Sequence, residues 1–123
     1  MTHAAELRVA TLLSLSLTIG CAEAGERATS QQRLRDYLGA HRDTTEAVAE
    51  AIRLGHVVPG MEREQVTAAL GEPIRVIRSS SRGGVEHWLY RMETLHQERL
   101  RGRGWSFARV TFLDDRVLLV DPR

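Results

Sequence analysis

Val57-Val58-Pro59-Gly60-Met61-Glu62-Arg63-Glu64-Gln65-Val66-Thr67-Ala68-Ala69-Leu70-Gly71-Glu72-Pro73 is the stretch on which the fold turns, because both ends of a short helix are written into it. Pro59-Gly60 has the composition of a turn, and Glu62 to Leu70 then offers Met61, Val66, Ala69 and Leu70 to a core at helical spacing. Glu62 and Glu64 put negative charge in the first turn, where the helix dipole favours it. Gly71 suits the left-handed position that follows a helix, and Pro73 prevents continuation. Beyond Pro73 the apolar period changes from helical to alternating, so this segment marks the passage from a helical half to a sheet.

Downstream, Ile74 to Ser79 reads as a strand, Ser80 to Gly84 as a hairpin loop and Val85 to Met92 as its partner. Glu93 to Gly104 is a polar, arginine-rich connection. Trp105 to Leu113 forms a long third strand, Asp114-Asp115-Arg116 a tight turn and Val117 to Val120 a short fourth strand. Upstream, Gln31 to His41 carries Leu34, Tyr37 and Leu38 at helical spacing. A second helix runs from Thr44 to Leu54, with Asp43 as N-cap and Glu46 three residues on; Ala47, Val48, Ala51 and Ile52 lie on one side, and Gly55 closes it. Helices followed by an antiparallel meander specify an α+β fold in two layers, the N-terminal helices packed on one face of a sheet of three or four strands.

The N-terminal end has a different character. Arg8 supplies a basic charge, Val9 to Gly20 is uncharged and rich in leucine (Leu12, Leu13, Leu15, Leu17), and Cys21, the single cysteine, follows at once. This is the layout of a secretory signal over residues 1–20, too short to cross a bilayer of about 30 Å. A lone thiol cannot staple a fold, and lipidation explains an unpaired cysteine at this place. An ordinary signal peptide cut nearby, or a buried N-terminal helix, would instead leave Cys21 a free thiol. Residues 21–30 are small and polar and read as a flexible tether, residues 31–56 as a helical lead, and residues 57–123 as the main domain.

Composition narrows the function classes. About a hundred residues beyond the signal suffice for one small core. The net charge of +1 gives no strong field toward nucleic acid, and every basic side chain is arginine. His56, His87 and His96 lack a metal-ligand spacing, Asp114-Asp115 falls at a turn, and no nucleophile with its base stands out. The expectation is therefore a protein without catalysis, cofactor or metal.

Alternation assigns the faces of the sheet. Trp88, Tyr90 and Met92 share one side of the second strand, opposite Val85, His87 and Leu89; Ala108, Val110 and Phe112 oppose Trp105, Phe107, Arg109 and Thr111 on the third. If Trp88, Tyr90, Val110 and Phe112 pack under the helices, Trp105, Phe107 and Arg109 project from the open face as candidate partner-binding residues, since tryptophan and arginine are enriched at binding hot spots. Were the strand bulged, or covered by the helical lead, the same aromatics would be plain core. Arg99, Arg101 and Arg103, in a glycine-bearing loop, are candidates for gripping an anionic ligand. The other reading is a solvated connection balanced by Glu93 and Glu98.

Two resemblances follow from these residues. Leu17-Thr18-Ile19-Gly20-Cys21 resembles a bacterial lipoprotein signal, in which cleavage precedes a cysteine carrying diacylglycerol with acyl chains such as palmitate; Thr18 departs from the usual leucine. Gly60-Met61 before a short helix containing Val66, then Leu70-Gly71-Glu72-Pro73, Trp88-x-Tyr90 and Val110-x-Phe112 before an acidic turn, is similar to the SmpA/OmlA (BamE) family of outer-membrane lipoproteins over about residues 57–120. Glu62 stands where that family often has Thr or Ser. The resemblance implies a BamE-like helix-and-meander fold and a location on the periplasmic face of the outer membrane, held there by lipid on Cys21. It further implies a non-catalytic accessory subunit in the complex that assembles β-barrel proteins; the expectation for the chain itself is a monomeric or weakly associating lipoprotein. An envelope lipoprotein that binds anionic lipid or peptidoglycan, or an inhibitor of a periplasmic enzyme, would suit the same fold. Nucleic acid is not an expected partner.

Overall fold

The computed structural model describes residues 20–79, 84–97, 100 and 104–123. Three helices, α1 (Gly20–Ala40), α2 (Glu46–Leu54) and α3 (Arg63–Leu70), precede four strands, β1 (Arg75–Arg78), β2 (Val85–Arg91), β3 (Phe107–Leu113) and β4 (Arg116–Pro122). The strands form one sheet in the order β1-β2-β3-β4, each neighbour antiparallel. The architecture is the α+β two-layer arrangement expected, with a sheet of four strands and its helices on one face.

The core lies between those layers. Trp88 and Tyr90 of β2, Ala108, Val110 and Phe112 of β3 and Val117 of β4 are buried in one cluster with Ile52, Val57, Met61, Val66 and Leu70 from the helical half. Each fully buried side chain of this size contributes about 1.5–3 kcal/mol relative to exposure. Trp88 and Phe112 meet in a tilted pair with centroids 4.7 Å apart. Tyr90 donates its hydroxyl to the Gly71 carbonyl at 2.9 Å, tying the central strand to the end of α3.

Local departures from expectation have identifiable causes. Residues 21–30, read as a flexible tether, belong to α1, which runs unbroken from Gly20 to Ala40. Ala, Glu and Arg are strong helix formers, so a segment with no apolar face can still be helical once Leu34, Tyr37 and Leu38 dock its distal half on the core. The N-cap of α2 is Thr45, whose hydroxyl accepts the Val48 N–H at 3.4 Å, and not Asp43. Thr44 takes the preceding turn by donating to the His41 carbonyl at 2.7 Å, so Asp43 stays in that turn. With this phase Ala49 is buried and Ala47 is exposed, reversing the expected pair. Gly55 does close α2: at φ 66° its N–H reaches the Ile52 carbonyl and the His56 N–H reaches that of Ala51, a paired terminus in which left-handed glycine avoids a Cβ clash.

In α3, Gln65 Oε1 accepts the Glu62 N–H at 2.9 Å, so Glu62 is the N-cap and the helix begins at Arg63. Ala68, not Ala69, is fully buried, because α1 covers the side of α3 away from the sheet and Arg33 donates to the Ala68 carbonyl. Gly71 has the positive φ anticipated, 84°, but its ψ of −164° lies outside the left-handed helical region. Asp114 and Asp115 both have positive φ, which makes their hairpin turn the mirror-image type that matches strand twist.

The third strand begins at Phe107, two residues later than expected, and β4 extends to Pro122 with a bulge that leaves Leu118 between the pairs Thr111–Leu119 and Phe112–Val117. The segment expected to be only a polar connection plugs the core. Met92–Thr94 forms a single 3₁₀ turn, Leu95 is fully buried, and Gln97 Nε2 donates to the Val57 carbonyl at 2.9 Å.

Candidate functional site

The site that the fold presents is the face of the sheet turned away from the helices. Cross-strand partners share a face, so the pairings Ile77–His87–Thr111–Leu119 and Arg75–Leu89–Arg109–Asp121 lie on it as rows, with Arg91–Phe107 beyond them. Mutual backbone hydrogen bonds between Phe107 and Arg123 extend the last row. Phe107 is 38% exposed and Trp105, just before the strand, 50% exposed; the helical lead does not cover them. Ile77, Leu113 and Leu119 add exposed apolar surface to the same face.

Arg109 is on this face but is already engaged. Its guanidinium makes a fork to Asp121, with Nε to Oδ1 at 3.1 Å and Nη2 to Oδ2 at 3.0 Å, and Arg123 joins Asp121 at 3.0 Å. Arg109 thus shapes the surface beside Phe107 and links β3 to β4 across their ladder. His87 and Thr111 hydrogen-bond at 3.0 Å in the adjacent row. Among the described residues the face combines apolar side chains with arginines 75, 91, 109 and 123 and one side-chain carboxylate, that of Asp121, which suits a partner with apolar and acidic groups.

Two features were not anticipated from sequence. Ile77, Leu113 and Leu119 could have been placed by extending the alternation to every strand, although the bulge at Leu118 shifts the phase of β4. Glu86 is the other: this carboxylate is 7% exposed on the core face of β2, in phase with Trp88. It accepts the Trp88 indole N–H and the guanidiniums of Arg78 and Arg63, at 3.1 and 3.3 Å. Burial pushes the carboxyl upward, and the hydrogen bonds from Trp88, Arg78 and Arg63 outweigh it, leaving Glu86 below its usual range. Arg63 also pairs with Asp115 and lies over the Phe112 ring at 5.4 Å, so the cluster locks α3 to one end of the sheet.

The histidines have local roles. His41 stacks on Tyr37 at 4.1 Å, and His56 Nε2 contacts the His96 carbonyl at 3.0 Å. Among the described residues no group of three His, Cys, Asp or Glu is placed to hold a metal ion, and no helix is long and apolar enough to cross a membrane. A cleft of ≈ 640 Å³ opens between α1 and the C-terminal end of α2, floored by Leu34, Ile52 and Leu70 and edged by Arg27 and Glu93.

Of the other sequence candidates, Cys21 falls in the first turn of α1. Arg99, Arg101 and Arg103 lie outside the described residues, as do residues 1–19 of the expected signal and most of the 80–84 hairpin loop. Comparison with family models, with curated proteins and with solved structures finds no match.

Proposed function

We propose that this chain is a lipid-anchored, non-catalytic protein-binding module of the bacterial envelope, held to the outer membrane through Cys21 and presenting the open face of its sheet to a partner. The observation that carries the reading is exposed Phe107 on a face with further apolar side chains and an excess of arginine, with exposed Trp105 two residues before it, ahead of the strand. Folding gives no reason to leave Phe107, Ile77, Leu113 and Leu119 all uncovered on one sheet face, and exposed apolar surface rimmed by charge marks interaction sites. Within this reading α1 acts as a spacer. From Cys21 to Leu34, its first residue packed on the core, the helix spans about 20 Å at 1.5 Å per residue. Anchorage confines the domain to one surface and raises its effective concentration near partners there.

The order of motifs shared with the SmpA/OmlA family supports a specific role as an accessory subunit in outer-membrane β-barrel assembly. The test is crosslinked capture of the lipidated protein from native membranes, read by mass spectrometry, with Cys21→Ala and Trp105→Ala/Phe107→Ala as controls. Barrel-assembly subunits recovered with the parent and lost with both controls would support the role. Recovery unaffected by either control, or enrichment of cell-wall material or a single periplasmic enzyme instead, would overturn it.

A further inference from the structure

The two edges of the sheet are finished differently. On β4, the Gly60 N–H donates to the Val117 carbonyl and the Val117 N–H to the Met61 carbonyl, both at 2.8 Å, and an isolated bridge joins Glu62 to Arg116. The bulge at Leu118 twists that edge, and Pro122 has no N–H to offer. These are the devices by which proteins close sheet edges. β1 has neither bulge nor proline, and all four of its residues are exposed.

The direction of its free backbone groups can be worked out. Met92 donates its N–H to the Ser106 carbonyl and Asp114 to that of Gly84, so even-numbered residues of β2 bond toward β3 and odd-numbered ones toward β1. The Ser79 N–H reaching the Val85 carbonyl agrees. The odd residues of β1 therefore face β2, and Val76 and Arg78 direct their N–H and C=O groups outward. Among the described residues no segment pairs with this edge. Val76 and Ile77 are exposed on opposite faces, while Arg75 and Arg78 place one guanidinium on each.

We propose that β1 is an acceptor edge on which an extended segment of a protein partner, alternating acidic and apolar side chains, docks as a fifth strand. Main-chain bonds to Val76 and Arg78 would supply the ladder, acids on the open face would meet Arg75 while apolar side chains meet Val76 on the other, and Arg78, held by Glu86, takes no part in the selectivity. Charge argues against a second copy as occupant. Each copy would bring an Arg75 guanidinium to the short ladder, and β1 offers no carboxylate to meet it, Arg78 being already held by Glu86 of its own chain. The proposal does not depend on what the open face binds.

The test uses the full chain in detergent micelles and, as probe, a capped octapeptide of alternating glutamate and valine, with its lysine-for-glutamate analogue as control. Backbone amide exchange should be fast at Val76 and Arg78 in the free chain and slowed by the glutamate peptide alone. Val76→Pro removes an outward N–H without touching the β2 ladder, so binding should be lost while the melting temperature holds. Should that variant unfold, Arg75→Glu serves instead and should reverse the preference toward the lysine peptide. Protection of Val76 in the free chain, binding unchanged by Val76→Pro or Arg75→Glu, perturbation confined to Phe107 and its neighbours, or concentration-dependent dimerisation through β1 would each overturn the proposal.

Discussion

Trp88 donates its indole N–H to the carboxylate of Glu86, two residues away on the same core-facing side of β2. The carboxylate also receives Arg78 and Arg63, so one buried acid joins β1, β2 and the start of α3. Glu86→Gln should lower stability by about 2 kcal/mol at neutral pH, the scale of hydrogen bonds to a charged group. The sign of its pH dependence is fixed by the direction of the shift. A carboxyl held below its ordinary value of 4.5 stabilises the fold above that pH, and the contribution is lost as pH falls through the folded value. Thermal melts of the parent and Glu86→Gln should therefore differ by a constant amount near neutrality and converge in acid. Parallel curves down to acid pH would show that Glu86 is not ionised in the folded chain.

Tyr90 tests the opposite end of the pH scale. Burial pushes its hydroxyl well above the ordinary value of 10, with the charge of nearby Glu72 adding to the effect and Arg33 opposing it. A raised tyrosine value means stability is intact below pH 10 and is lost as pH climbs above it. Tyr90→Phe should cost about 1 kcal/mol at pH 7, because the Gly71 carbonyl loses its donor. The same variant should resist alkaline unfolding better than the parent. Denaturant titrations at neutral and alkaline pH would check both, and an unchanged alkaline slope would remove Tyr90 from the account.

Glycines at the two helix ends make a third comparison. Gly55 sits in the left-handed region, and a Cβ there would meet His96 Cδ2 at 2.9 Å, the tip of an exposed ring able to move aside. Gly71 combines φ 84° with ψ −164°, a region that glycine alone adopts easily, and Arg33 lies 3.2 Å from where its Cβ would be. Gly55→Ala should cost about 1–2 kcal/mol and Gly71→Ala more, toward the upper end of the 1–3 kcal/mol typical of forced backbone conformations. Equal losses in chemical denaturation would mean that the space at His96, and not backbone conformation, sets the cost.

How far the fold was legible can be judged from the same residues. Trp88, Tyr90, Val110 and Phe112 were placed correctly because alternation on a half-buried strand is a property of the residues themselves, and Gly55 because its conformational need is local. Thr45 displaced Asp43 as a cap because the competition was decided by the turn that Thr44 makes with His41, a contact between neighbouring elements. Leu95 and Gln97 were hidden in a polar run, since their burial depends on Val57, forty residues from Gln97. Helix in residues 21–30 is not legible from polarity alone, because propensity favours it only once the far end of α1 is docked through Leu34, Tyr37 and Leu38. On the candidate face, alternation turns Phe107 away from the core side of β3, but its exposure, like that of Trp105 before the strand, depends on α1 not wrapping round the sheet, which alternation does not decide. The engagement of Arg109 by Asp121 is not legible either, because it needs the register of β4 across a bulge.

That engagement separates two neighbours on one surface. Arg109 and Asp121 are each partly buried, and their fork should contribute about 1 kcal/mol, the upper range for exposed pairs. Arg109→Ala should therefore lower the melting temperature, and so should Asp121→Ala, with the double variant losing little more than either alone. Trp105→Ala should change stability by about 0.5 kcal/mol or less, because half of its surface already meets water. Partner capture should show the reverse order: strong loss with Trp105→Ala and Phe107→Ala, and a smaller loss with Arg109→Ala. Salt supplies the second axis. Docking that rests on apolar contacts at Phe107 should persist as ionic strength rises, whereas attachment through Arg99, Arg101 and Arg103 to an anionic lipid should weaken steeply as the screening length shortens. Capture from native membranes at low and high salt, repeated with Arg99, Arg101 and Arg103 changed together to glutamine, reads both axes at once. Loss of capture at high salt, matched by the triple variant and indifferent to Phe107→Ala, would move the binding function from the sheet face to that loop.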